Sequence, residues 1–161
     1  MKSIQLKISF VLLVLCFMGA GCEKEVEANF QEINFLKVKG LSLQDDTCFI
    51  AGGSKDLNLV INSQEDFEKY FECKNDYSPQ IDFSQYTLLT GSRAVNCIYP
   101  TLALQQILVD DKNKAVQFKA QFEYDSGCYA ALGVIYYHAL IPKLKNSYTV
   151  SFDITINSNK N

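Results

Sequence analysis

The sequence predicts an α+β domain built mainly of antiparallel β-sheet, as a sandwich or an open barrel-like arrangement, with one short helix at about 63–72. Three observations carry this. Val116, Phe118, Ala120, Phe122 and Tyr124 alternate with Gln117, Lys119, Gln121 and Glu123. Tyr148, Val150, Phe152, Ile154 and Ile156 alternate in the same way with Thr149, Ser151, Asp153 and Thr155. Such period-two patterns, rich in β-branched and aromatic residues, are what half-buried antiparallel strands require. Phe67, Tyr70 and Phe71, by contrast, fall at helical spacing and form one apolar stripe.

Taken in chain order, weaker strands are expected at 30–38, 47–51 and 57–61. The helix follows, with Ser63 as N-cap, Asp66 three residues on in a short variant of the capping box, and Glu65 and Asp66 at the positive end of the dipole. At about ten residues it needs docking on the sheet to persist. A strand at 86–90 comes next. Val134 to Ile141 is apolar on both faces, which predicts a central strand covered on both sides.

Residues 102–124 read as a hairpin around Asp111-Lys112-Asn113. A two-residue loop pairs residues whose numbers sum to 225; a three-residue loop with Asn113 left-handed gives 224. Burial favours the second, which sets Leu108, Leu104 and Leu102 opposite Val116, Ala120 and Phe122. Cys97 and Cys128 also sum to 225, so a bridge between them closes the open end of this hairpin, and Cys48–Cys73 follows by elimination.

The N-terminus is read separately. Lys2 and Lys7 precede a run of large apolar residues from Ile8 to Met18, then Gly19, Ala20, Gly21 and Cys22. Eleven residues of helix span about 16 Å, roughly half a bilayer core, which suits a signal h-region better than a membrane span. The order of parts resembles a bacterial lipoprotein signal peptide, although Gly19 stands where that family usually has Leu. The bland alternative is an ordinary secretory signal. The resemblance implies a lipid on Cys22, with two or three acyl chains giving near-permanent attachment to the membrane. Residues 1–21 then form the signal, 22–29 a charged tether and 30–161 a single domain. The run Cys22-Glu23-Lys24-Glu25 resembles the acidic signal that places some lipoproteins on the outer face of the outer membrane.

Without Lys2 and Lys7 the mature chain has 13 basic and 18 acidic side chains, a formal charge of −5. No basic cluster is present, so nucleic-acid binding is excluded as an expectation. Four cysteines remain once Cys16 leaves with the signal and Cys22 is lipidated, an even number that reads as two disulfides in an exported protein. Their wide spacing, with His138 as the single histidine, does not fit a zinc site, and no cofactor or metal is expected.

Chemistry is sparsely signalled. His138 lies on a strand face with Val134, Tyr136 and Leu140, and no motif ties a nucleophile to it. Asp45-Asp46 and Asp110-Asp111 are adjacent pairs in turns rather than carboxylates facing across a sugar. Gly52-Gly53-Ser54-Lys55 lacks the phosphate-loop spacing. Tyr77, Tyr99 and Tyr129 sit in expected loops and form a candidate binding surface; packing over the sheet ends explains them equally well.

The order from Ser63 to Ser92 is distinctive: a short acidic-aromatic helix, a loop, then Ile81-Asp82-Phe83-Ser84-Gln85-Tyr86-Thr87-Leu88-Leu89. It resembles the PrcB-like family, lipoprotein subunits of a secreted protease complex. The chain departs from that family at Asn96-Cys97-Ile98-Tyr99-Pro100, where a Gly-Gly-Tyr turn is usual. The resemblance implies a noncatalytic accessory role and supplies no catalytic residue. The expected function is therefore a lipid-anchored, exported binding module for an exported partner protein. The alternatives are a cell-surface hydrolase of peptides or glycans working through His138 or an acidic pair, and a glycan-binding module using the loop tyrosines.

Overall fold

The computed structural model describes residues 28–41, 47–52, 56–75, 77–97, 100–124 and 130–158. Nine strands and one helix lie among them: β1 (Gln31–Ile33), β2 (Cys48–Ile50), β3 (Leu57–Ile61), α1 (Gln64–Tyr70), β4 (Phe71–Cys73), β5 (Tyr86–Cys97), β6 (Thr101–Asp110), β7 (Ala115–Tyr124), β8 (Ala130–Pro142) and β9 (Thr149–Ser158). They form a four-stranded sheet in the order β1-β6-β7-β9, a three-stranded sheet β3-β5-β8 and a two-stranded ribbon β2-β4. The sheets are open, not closed into a barrel.

The three-stranded sheet is the middle layer. Its odd-numbered face (Leu89, Val95, Ile135, Tyr137, Ala139, Ile141) packs with Ile107, Val116, Phe118 and Phe122 of the four-stranded sheet. Its even-numbered face (Leu88, Leu140) packs with Phe67 of α1 and with Cys48, Ile50 and Phe71 of the ribbon. This explains why 134–141 is apolar on both sides. Yet β8 is an edge strand rather than the expected central one; β5 lies between β3 and β8. Burial on both faces comes from layers above and below, and it does not reveal lateral order.

The helix starts at its expected cap. Ser63 Oγ accepts from the Asp66 amide at 3.1 Å and donates to Asp66 Oδ2 at 2.8 Å. Phe67 is buried, its ring stacked on that of Phe71 at 4.5 Å. The helix stops at Tyr70 because Phe71 turns extended and enters β4. At the start of β5, Asp82 accepts from the Ser84 amide at 3.0 Å and Phe83 is buried, the Asx-turn that Asp-Phe-Ser suggests. β5 runs on to Cys97, seven residues past the expected end, because Gly91, Ser92 and Arg93 interrupt the apolar pattern without interrupting the ladder.

The hairpin takes the other register. Leu104 to Asp110 pair with Gln121 to Ala115 at sums of 225, and a bulge at Ala103 restores 224 for Leu102 and Thr101. The turn decides this. The Asp110 carboxylate accepts from the Asn113 amide at 3.0 Å, from Asn113 Nδ2 at 2.6 Å and from the Asn29 amide at 3.0 Å. Lys114 takes the left-handed conformation at φ 52°. Those hydrogen bonds hold the Asp110 carboxyl below its usual range, with the Asn113 amide contributing most. Ile107 then faces the core, while Leu102 and Leu104 are left 39% and 42% exposed.

β9 pairs with β7 in parallel, an exception within a mainly antiparallel fold. β8 carries the chain back through the other sheet, so β9 enters at the same end as β7.

Gly91 marks the tightest approach in the middle sheet. A Cβ there would lie 2.3 Å from the Leu57 carbonyl oxygen and 2.5 Å from the Tyr137 hydroxyl. That hydroxyl donates to Asn58 Oδ1 at 2.5 Å and lies 3.1 Å from Leu57 O, so neither neighbour can yield alone. Gly91→Ala is expected to cost about 1–3 kcal/mol, read as a lowered urea midpoint. An unchanged midpoint would mean that β3 and β5 can spread without loss.

Candidate functional site

The β2–β4 ribbon does not lie flat on the middle sheet along its whole length. Cys48 and Cys73 are Cα partners at its end and are joined by the disulfide expected from the sequence. Between ribbon and sheet opens a cleft of about 820 Å³, within the usual range of ligand sites. Phe49, Ile50, Phe71 and Leu41 form one wall; Thr90, Val134, Tyr136 and His138 form the other. Leu102 and Gln105 of β6 and Lys37 line it beyond the edge of β8.

The polar groups are few. Thr90 and His138 are cross-strand partners. The Thr90 hydroxyl is buried with no hydrogen-bond partner among the described residues. Gln105 Nε2 donates to the His138 carbonyl at 2.8 Å. No carboxylate lines the cleft among the described residues. Lys37 likewise has no acidic partner among the described residues. Among the described residues, then, a mildly acidic protein lines this cleft with no carboxylate and with one cation, Lys37.

His138 sits in this cleft with its pKa pushed down to about 4, first by burial and then by the Lys37 charge. The ring is neutral at neutral pH and has no carboxylate among the described residues to orient it. An unfolded chain protonates its histidine near pH 6.5. The folded chain resists until about pH 4. The stability linked to His138 is thus fully present above about pH 6.5 and is lost as pH falls towards 4. Urea unfolding at pH 7 and pH 5 should show a larger drop for the wild type than for His138→Gln. Equal drops would contradict this placement.

The remaining expected residues fall elsewhere. Tyr77 is half-buried: it packs into the core under the ribbon and donates to the Lys39 carbonyl at 3.2 Å. A Cβ on Gly40, at φ +85°, would meet its ring at 2.5 Å. Cys97 ends β5 opposite Ala130. Cys22, Tyr99, Cys128, Tyr129 and the Asp45-Asp46 pair lie outside the described residues. Asp110 and Asp111 are turn groups; Asp111 accepts from the Tyr148 hydroxyl. Among the described residues no cluster of three His, Cys, Asp or Glu is placed to hold a metal, and no helix is long and apolar enough to cross a membrane.

Sequence reasoning missed Thr90, Gln105 and Lys37. Thr90 is one polar residue inside an apolar run, a signal visible in Leu88-Leu89-Thr90. Nothing local marks Gln105 or Lys37, because the fold alone brings them to the edge of β8. No family model, curated protein or solved structure matches this chain.

Proposed function

We propose that this protein is a noncatalytic binding module, exported and held on the outer membrane by lipid on Cys22, that holds an exported partner protein at the cleft beneath the ribbon. One observation carries the reading: a roomy cleft with no carboxylate among its described lining residues, holding the buried Thr90 hydroxyl, which has no hydrogen-bond partner among the described residues. A hydrolase working through His138 would need a group to orient the ring and a nucleophile beside it. Among the described residues the cleft supplies neither a carboxylate nor a Ser hydroxyl or free Cys thiol, since Cys48 is bridged. The resemblance of 63–92 to the PrcB-like lipoprotein subunits supports an accessory role of the same kind. In this reading Cys97 is bridged to Cys128, which lies two residues before its Cα partner Ala130 in sequence. Non-reducing peptide maps that join Cys48 to Cys128 would overturn that pairing.

The test is a photo-crosslinking side chain placed at Leu102 in the cleft, and at exposed Asp153 on β9 as control, in living cells. A discrete adduct with one exported protein is expected from position 102 and none from 153. Adducts that are absent, or equal from both positions, would sink the reading. Loss of palmitate labelling in Cys22→Ala tests the anchor independently.

A further inference from the structure

We infer that the anchor entering this cleft is a tyrosine side chain of the partner, its phenol hydroxyl bonded to Thr90 and His138. This rests on the binding-module reading above and names the group that the cleft recognises. Thr90 carries it. Its side chain is fully buried, yet its hydroxyl has no hydrogen-bond partner among the described residues. A buried hydroxyl left unpaired costs folding free energy, and a ligand that pairs it recovers that cost.

The register of the middle sheet aims this group. Thr90 and His138 are cross-strand partners, two residues from the Leu88–Leu140 pair. Side chains two apart on a strand share a face. Leu88 and Leu140 pack towards the ribbon and α1, so Thr90 and His138 turn the same way, and both line the cleft.

The chemistry of the two groups narrows the ligand. A threonine hydroxyl both donates and accepts, and a neutral imidazole donates from one nitrogen and accepts at the other. An ammonium or guanidinium group only donates, and it would bring positive charge to a ring that burial and the Lys37 charge already keep neutral. A carboxylate or ketone only accepts. A hydroxyl does both. The walls set the body that carries it. Ile50 and Phe71 of the ribbon lie on one side of the cleft and Val134 and Tyr136 of β8 on the other, around a space of about 820 Å³. A serine, threonine or carboxamide side chain is too short to cover those apolar walls. A phenol ring covers them and holds its hydroxyl at the far end, as buried tyrosines do. Tyrosine is accordingly enriched among the residues that anchor protein interfaces.

The test uses the full chain in detergent with N-acetyltyrosinamide and N-acetylphenylalaninamide, which differ by one hydroxyl. The tyrosine probe should bind about tenfold tighter and shift the His138 ring signals. Thr90→Val keeps the shape of the side chain and removes its hydroxyl, and should bring the two probes within about threefold of each other. In the free chain the same variant should hold or raise the urea midpoint, because no partner among the described residues loses a hydrogen bond. A lowered midpoint would show that the fold itself uses the hydroxyl and would overturn the inference. So would equal binding of the two probes, or a tyrosine preference that survives Thr90→Val. Failure of both probes while the Leu102 adduct persists overturns the tyrosine anchor alone, and the binding-module reading stands. Loss of the adduct removes that reading instead; a tyrosine preference that remains then belongs to a free phenol and overturns a partner-borne tyrosine.

Discussion

Phe118→Ala is expected to destabilise the domain by about 3–5 kcal/mol, the cost of deleting a buried ring that its surroundings cannot collapse to fill. Phe118 is fully buried on β7 at the meeting of the two large sheets. Its ring centroid lies 5.6 Å from that of Tyr137 on β8 and 5.7 Å from that of Phe152 on β9. Three strands in two sheets therefore converge on one side chain. The backbone ladders on both sides of β7 hold the neighbours apart, so the vacated space stays largely empty. Urea unfolding checks this against Lys119→Ala, one residue along the same strand, which should shift stability by less than about 0.5 kcal/mol. A loss below about 1 kcal/mol for Phe118→Ala would show that the sheets close over the gap.

Replacing Cys48 and Cys73 together by alanine is expected to cost about 3–4 kcal/mol and to loosen one wall of the cleft. The bridge spans a sequence separation of 25, for which the chain-entropy model predicts that magnitude. The second effect is local. The ribbon has two strands of three residues each, too little ladder to persist without packing or a crosslink. Phe49, Ile50 and Phe71 of that ribbon form one wall of the cleft. Removing the bridge should loosen that wall first, so amide exchange in β2 and β4 should speed up at denaturant concentrations where the large sheets remain folded. The double variant keeps Cys97 and Cys128, which isolates the effect. Identical amide exchange and an unchanged urea midpoint would show that Ile50 and Phe71 hold the ribbon without it.

Much of the architecture was legible in the residues because local periodicity reports burial directly. The alternation in β7 and β9 marks which side chains face the core, and Ser63 with Asp66 marks where α1 begins. The hairpin register was not legible, because counting apolar pairs ignored the Asp110 carboxylate. That group ties the turn to Asn113 and Asn29, and the register that follows leaves Leu104 exposed. The lateral place of β8 was hidden for a related reason: residues covered from above and below look the same at an edge as in the middle.

The candidate site divides in the same way. His138 drew attention as the single histidine, and Cys48–Cys73 followed by elimination among four cysteines. The cleft itself joins Lys37, Phe49, Thr90, Gln105 and Val134, which come from five separate stretches of the chain. By itself the sequence determined the α+β class, the buried faces of β7 and β9 and the helix cap, because each depends on neighbours a few residues away. Only the tertiary structure decided the three-layer order, the parallel β9, the register of the hairpin and the edge position of β8. Those depend on contacts between distant segments, whose energies no local pattern encodes.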